Sequence, residues 1–442
     1  MNINAFFEIC KAKGIAEVQL FVGTSKATSI KLFHREIDSY KITESRSVAA
    51  YGIYNGKFGY ATTEKLDRDA WEYLADRIVL TASFNEKEEE ASLFKGSEKY
   101  RKGNVYNKTL PTIPLEKKLA DLKALEEAIY AASPLVTDAD CVSYAERESL
   151  SEFYNSYGLK LKRKTNYFAF SAGAVARKGE ETKTFYDSFF DNDYSKFDKD
   201  KLAKKIVEKA LAKFGGAPCE SKKYPTVLHR DIMADLVDCF LGACSADEVQ
   251  RHSSFLEGKL GQKIASAKLT IEEKPLAKTL FYSYFDDEGV ATKNKVVVKR
   301  GVLQTYFHNR ETAKKAGVET TANGAIGGGK IGIGIGQVFI KGGKKGFDEM
   351  IAPIHDGVFI TEIAGLGTGL NPNSGDFSVQ AEGFRIKDGK IAEPLNLITL
   401  SGNLLKMLQD LKEFDADVEM TSGGVSIADA YIKSMSIGGI NA

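Results

Sequence analysis

Little in the composition of this 442-residue chain favours one charge sign: 61 Lys+Arg stand against 60 Asp+Glu, a net charge of +1. A near-neutral chain has no global field to draw it onto nucleic acid or an anionic membrane, so direct nucleic-acid binding is not expected. Long apolar runs are missing too. None approaches the roughly 20 residues that a bilayer-spanning helix needs, so no membrane association is expected. The five cysteines (Cys10, Cys141, Cys219, Cys239, Cys244) are scattered, odd in number and without a CxxC pair. They read as reduced, mostly buried thiols of a cytoplasmic protein. With five histidines and no GxSxG or GxxxxGK[ST] segment, neither a nucleophile elbow nor a Walker-type phosphate loop is available.

What is present is a chain of alternating β signals punctuated by helices. MNINAFFEICKAKG has no basic segment ahead of an apolar run, and reads as a short amphipathic helix stopped by Gly14 rather than a signal peptide. Residues 17–23 and 29–34 read as strands. Residues 48–54 and 57–63 flank Asn55-Gly56, a hairpin signal because both turn positions favour positive φ. Residues 66–84 have helical spacing, with Trp71 as a core residue, and the acidic run Glu86 to Glu90 reads as a solvated helix end or loop. Residues 95–114 read as a linker and 115–132 as a helix. Residues 136–177 alternate as antiparallel strands through the turn Asn155 to Gly158. The aromatic strip Phe185 to Phe190 with Tyr194 is assigned to core or interface packing. Residues 199–214 form a basic amphipathic helix closed by Gly215-Gly216.

The central stretch runs from Tyr224 to Ser266. A short strand ending in Val227-Leu228 leads into a helix, DIMADLVDCFLGAC, from Asp231 to Cys244. Ile232, Leu236 and Phe240, and likewise Met233, Val237 and Leu241, recur every fourth residue and define a broad apolar face. Asp231, Asp235, Asp238 and Gly242 fall on the opposite stripe. The segment SSFLEGKLG follows at 253–261.

Further on, Asp286-Asp287-Glu288-Gly289 places three carboxylates together. A hard-cation site is one reading, but the spacing fits no dedicated cation loop and a structural turn is preferred. Lys295 to Arg300 and Val302 to Phe307 read as a hairpin around Gly301, and 310–316 as a helix. GAIGGGKIGIGIG, between Gly324 and Gly336, lacks the strand–turn–helix context of a dinucleotide fingerprint. Its period is two: Ile331, Ile333 and Ile335 alternate with Gly332, Gly334 and Gly336, giving a strand with one bare face. Such a face suits tight packing on a neighbouring strand, or an edge that accepts an extended peptide. The turn Asn371-Pro372-Asn373-Ser374-Gly375-Asp376-Phe377-Ser378 comes next. Residues 391–400 read as a strand, Ser401 to Phe414 as a capped helix, and 435–440 as a final strand.

SSFLEGKLG, DDEG and NPNSGDFS together carry a resemblance to the TldD/PmbA family, labelled modulators of DNA gyrase and also peptidases or peptidase partners. The likeness runs from about residue 17 to the end. In the family's catalytic branch the helix after Val-Leu carries HExxxH, two zinc-binding histidines and a general-base glutamate, and a later cysteine completes the site. Here Asp238, Cys239 and Ala243 occupy those positions, only Gly242 is kept, and no cysteine follows Cys244. A catalytic zinc needs three protein ligands and an open position, and alanine supplies none. The chain therefore resembles the PmbA/TldE branch, which pairs with a TldD subunit.

This resemblance implies no catalytic residue and no metal or other cofactor in this chain, with zinc in a TldD-like partner. It implies a heterodimer or homodimer acting on unfolded peptides. The bare-faced glycines Gly332, Gly334 and Gly336, with Ser253, Ser254, Asn371, Ser374 and Asp376, are the peptide-groove candidates. The alternative is a non-proteolytic modulator of gyrase or another macromolecule; an independent non-zinc peptidase has no supporting constellation. The expected fold is α+β. An N-terminal α/β domain of antiparallel sheets and helices (1–110) and a middle α+β region (111–216) precede a large β-rich C-terminal domain (217–442).

Overall fold

The computed structural model describes residues 2–85, 92–327 and 330–440. The acidic run Glu86 to Glu90 lies outside them, as do positions 328 and 329 of the glycine-rich stretch. The architecture is α+β.

The chain opens with α1 (Ile3–Ala12), β1 (Ile15–Phe33), β2 (Glu36–Tyr54), β3 (Lys57–Thr63) and α2 (Arg68–Phe84). There follow α3 (Leu115–Ala132), β4 (Val136–Asn155), β5 (Lys160–Lys178), β6 (Glu181–Asp191) and α4 (Lys199–Leu211). The strands on both sides of residue 110 form one antiparallel sheet in the order β3-β2-β1-β4-β5-β6. Residues 17–23 and 29–34, read as two strands, are one continuous strand of 19 residues. Small polar residues at 24–29 lower the apolar signal, but ladders to β2 and β4 on either side hold the segment extended. Even-numbered side chains of β1 (Val18, Leu20, Val22) pack with α1 and α2, where the Trp71 ring lies 5.2 Å from that of Phe6, tilted by 40°. Ile30 and Leu32 pack with α3 and α4.

The stretch read as a linker holds only a 3₁₀ turn, Leu110–Thr112. It is nonetheless fastened down: the Tyr100 hydroxyl donates to the Gly289 carbonyl at 2.7 Å, and Asn107 and Asn166 exchange hydrogen bonds of 2.8 and 2.9 Å.

The second half begins with β7 (Lys222–Leu228), α5 (Arg230–Ala243) and α6 (Ala246–Gln250). Next come β8 (Ile271–Glu273), β9 (Lys295–Lys299), β10 (Val302–Leu303), α7 (Arg310–Ala316), β11 (Gly324–Gly327), β12 (Lys330–Ile333) and β13 (Val338–Ile340). After α8 (Phe347–Ile351), β14 (Asp356–Ala364) and α9 (Leu366–Gly369) lie the long hairpin strands β15 (Asp376–Lys387) and β16 (Lys390–Asn403). The chain closes with α10 (Leu404–Gln409), β17 (Leu411–Phe414), β18 (Glu419–Met420), β19 (Val425–Ile427) and β20 (Ala430–Gly438). The helix expected through Phe414 thus ends at Gln409, because Leu411 to Phe414 pair with β20 instead.

One sheet runs β16-β15-β14-β7-β20-β17, and an added β16–β20 pairing closes its first five strands into a ring, with β17 outside it. The other runs β10-β9-β8-β13-β19-β18. A single buried cluster contains residues of both sheets and the apolar face of α5, including Leu236, Val237, Phe240 and Leu241. Burying residues of this size stabilises the fold by about 1.5–3 kcal/mol each relative to exposure, which makes α5 the central pin of this half. No helix among the described residues is long and apolar enough to cross a membrane.

Candidate functional site

The α5 helix starts at His229, whose Nδ1 accepts from the Asp231 amide at 3.4 Å. The next amide, of Arg230, donates to the Asp429 carboxylate at 2.7 Å. Asp231, Asp235, Asp238 and Gly242 form an exposed stripe opposite the buried face. Partial desolvation raises the Asp235 and Asp238 carboxyls above their ordinary range, with neighbouring carboxylates adding to the effect at Asp235. Asp231 is lowered by its hydrogen bond to His229. Cys239 is half-buried and its thiol is pushed up by burial, which keeps it protonated and a weak nucleophile. Ala243 is buried with a methyl group only. These three positions do not make a three-ligand zinc site. Among the described residues no group of three or more His, Cys, Asp or Glu side chains could hold a metal ion.

Two of the three segments that carry the family resemblance, at 253–261 and 371–378, meet at the C-terminal end of α5. Buried Ser254 donates from its hydroxyl to the Ala243 carbonyl at 2.6 Å and accepts from the Leu256 amide at 3.0 Å. The neighbouring Phe255 ring lies against Gly375, where a Cβ would stand 3.2 Å from it; Gly375 itself has φ +76°, the left-handed region that favours glycine. In this second loop the Asn371 side chain accepts from the amides of Asn373 and Ser374. Ser374 donates to Asp376 at 2.7 Å, and Asn403 donates to the same carboxylate at 2.9 Å. These bonds depress the Asp376 pKa, Asn403 first. Ser253 is half-buried, and among the described residues its hydroxyl bonds only to the Arg251 carbonyl, at 3.4 Å. His252 is exposed and pairs with Glu257 at 2.7 Å rather than with either serine.

The glycine-rich stretch is a hairpin of β11 and β12 that ends at Ile333. Its glycines differ. At Gly334 a Cβ would come within 2.6 Å of the Ala325 Cβ, so the backbones pack closely. The Gly336 amide donates to buried Glu273 at 2.6 Å, while at exposed Gly332, whose carbonyl accepts from Asn309 at 3.4 Å, a Cβ would meet nothing nearer than the Ala325 carbonyl at 3.9 Å. Ile326 and Ile331 pack on Tyr51 and Ile53 of β2, whereas Ile333 and Ile335 pack on the central core. The hairpin therefore spans from the N-terminal sheet to the second half.

Asp286, Asp287 and Glu288 sit along the outer edge of β11. Asp286 accepts from the Gly324 amide and Asp287 from the Ile326 amide, both at 2.9 Å; Glu288 accepts from the Arg310 amide at 2.8 Å. Asp286 also accepts from the amides of Glu288 and Val290. Burial raises all three carboxyls. The turn is built around amide donors, which satisfies an otherwise open strand edge.

A second hollow, which sequence reasoning did not find, lies at the other end of α5. It measures about 450 Å³ and brings together Phe185, Lys209, His229, Phe359 and Phe384. Only the aromatic strip around Phe185 hinted at it.

Comparison with known proteins accounts for this arrangement. Residues 18–82, 108–214 and 221–439 match, in turn, the first, central and C-terminal domain models of the PmbA/TldA metallopeptidases. A protein named metalloprotease from Methanothermobacter thermautotrophicus is 30% identical over 410 residues, covering 91% of this chain and 88% of that one. Metalloprotease PmbA of Escherichia coli O157:H7 is 26% identical over 316 residues, 71% of this chain and 68% of that one. Among solved structures, one from Thermotoga maritima, named as a candidate modulator of a DNA gyrase, aligns with a TM-score of 0.90 at 27% identity over 99% of both chains. TldE from Thermococcus kodakarensis has the same fold, with a TM-score of 0.90 at 22% identity over 99% of this chain and 100% of that one. Three consecutive domain models and a 30%-identical relative aligned over nine-tenths of the chain lead to one assignment: this protein belongs to the PmbA/TldD family.

Proposed function

We propose that this chain is the metal-free subunit of a two-chain metallopeptidase of the PmbA/TldD family, acting on unfolded peptides beside a zinc-bearing TldD-like partner. One observation carries the reading: the α5 positions that ligate zinc and activate water in the family's catalytic branch hold Asp238, Cys239 and Ala243. Zinc-dependent hydrolysis needs a metal with an open coordination position and a base beside it, and this helix offers a carboxylate, a protonated thiol and a methyl group. The exposed stripe on α5, the Ser253-Ser254 segment and the Asn371 to Asp376 loop are then walls of a shared chamber. Of the three glycines, exposed Gly332 is the one that leaves room for a peptide backbone, since Gly334 packs on Ala325 and the Gly336 amide is taken by Glu273. The unpaired thiols favour a reducing, cytoplasmic setting.

The test is to purify the chain alone and again with a co-expressed family member that carries HExxxH. Alone it is expected to contain far less than one zinc per chain and to leave unfolded peptides intact; the pair is expected to cleave them. Stoichiometric zinc with chelator-sensitive cleavage by the isolated chain defeats the proposal. A second reading, a non-proteolytic gyrase modulator, draws on the name of the Thermotoga maritima relative. Affinity capture that recovers gyrase without an HExxxH partner favours it.

A further inference from the structure

The hollow at the N-terminal end of α5 is part of neither the acidic stripe nor the two family loops. Its walls come from β6, α4, the β7–α5 turn, α8, β14 and β15, and its volume of about 450 Å³ lies in the range of small-molecule sites. Phe185, Phe347, Phe359 and Phe384 line it, each only half-buried. The rings of Phe347 and Phe359 are 4.9 Å apart. Four partly exposed phenyl groups from four separate elements around one hollow mark an apolar binding surface.

The charges around it are mostly spoken for. Arg230 pairs with Asp417 at 2.8 Å and Glu419 at 2.9 Å. Lys213 pairs with Glu362 at 2.7 Å and Glu382 at 3.2 Å, and His229 with Asp231 at 3.4 Å. Lys209 differs: its ammonium lies 5.1 Å from the centre of the Phe185 ring and has no hydrogen bond or ion pair among the described residues. Partial burial, with Lys205 close by, lowers its pKa. Asp187, Asp231 and Asp429 act on it only from a distance, and a partly dehydrated ammonium with no anion in direct contact gains more from a ligand carboxylate than a solvated lysine does. Of the carboxylates in the lining, Glu362 is held by Lys213, Asp417 and Asp429 are held by Arg230, and Asp415, pushed up to about 6, loses its charge below that pH, so binding of a carboxylate is favoured on the acid side.

We infer that this cavity binds a ligand with an aromatic or branched apolar body and one carboxylate, the body among the four phenyl rings and the carboxylate on Lys209. Such chemistry comes from a free aryl-alkanoic acid or from the C-terminal residue of a peptide. The inference does not depend on whether a partner supplies zinc.

Calorimetric titration of the full chain tests it, using hydrocinnamate, hydrocinnamide, phenethylamine, and a tripeptide ending in phenylalanine with a free or amidated terminus. Hydrocinnamate or the free-acid tripeptide is expected to bind. Lys209→Met, which keeps the aliphatic stem, is expected to weaken that binding by about tenfold or more while leaving the weak binding of hydrocinnamide unchanged. Phe384→Ala is expected to weaken acid and amide alike, and circular dichroism confirms that both variants fold. Stronger binding of the free-acid tripeptide identifies a peptide terminus; stronger binding of hydrocinnamate identifies a small acid. Absence of binding by either acid, an unchanged affinity in Lys209→Met, or preference for phenethylamine overturns the inference.

Discussion

Single side chains in this protein hold distant segments together, and their removal has calculable consequences. Ser254 closes the C-terminal end of α5 through the Ala243 carbonyl. Ser254→Ala leaves a buried carbonyl unsatisfied and is expected to cost about 1–3 kcal/mol, read from urea unfolding. Glu273 is 1% exposed and accepts from Asn323 at 2.7 Å and the Gly336 amide at 2.6 Å while paired with Lys295. Lys295→Met strands that carboxylate without its cation, and a loss of about 3–5 kcal/mol is expected in the same measurement. Asp415 makes a pH prediction. Burial and the neighbouring Asp429 raise its pKa from 3.8 to about 6, against the hydrogen bond from the Asp417 amide and the Arg230 charge. The folded state binds this proton more tightly than the unfolded chain, so the contribution is present below the unfolded pKa and fades as pH rises through about 4 to 6. Asp415→Asn is expected to flatten that decline when unfolding midpoints are compared across the interval.

Among the elements, β2 is unusual. Residues 48–54 pair with β3, but residues 36–47 pair only with β1, so a long edge is open among the described residues. Ile37, Tyr40 and Ile42 are exposed there, interspersed with Lys41, Glu44 and Arg46. Charged residues on an open edge oppose pairing with other chains. Replacing Lys41, Glu44 and Arg46 by threonine is expected to increase concentration-dependent scattering without lowering the melting temperature. The packing of α2 on β3 is equally specific. A Cβ at Gly59 would overlap the Ile78 carbonyl oxygen, and Gly59→Ala is expected to destabilise by about 1–3 kcal/mol through overpacking.

Across the whole molecule, the two halves are joined by the Gly324 to Ile333 hairpin, the carboxylate turn along its edge and an aromatic cluster. That cluster sets Phe153 and Leu161 against Tyr282, Tyr284 and Phe285. At Gly289 a Cβ would stand 2.7 Å from the Phe153 ring, so the turn and the first sheet are fitted closely. The α5 helix has a different surface at each end: the family loops at its C-terminal end and the phenylalanine-lined cavity at its N-terminal end.

Periodicity alone determined which face of α5 is buried, because apolar residues every three or four positions leave one stripe for carboxylates. Turn residues marked the Asn55-Gly56 hairpin, whose two positions have φ +51° and +72°, and the strand pair around Asn155 to Gly158. The length of β1 and β2 was hidden, since polar residues from 24 to 29 and 36 to 47 are held extended by neighbouring ladders rather than by their own propensity. The same limit applied to residues 411–414, drawn into a strand by β20. Which residues the α5 positions contain was plain in the sequence, because the identity of a possible ligand is local. The meeting of Ser254 with Ala243, of Phe255 with Gly375, and of four phenylalanines with Lys209 was decided only by tertiary structure, since each joins residues whose spacing along the chain carries no trace of their contact.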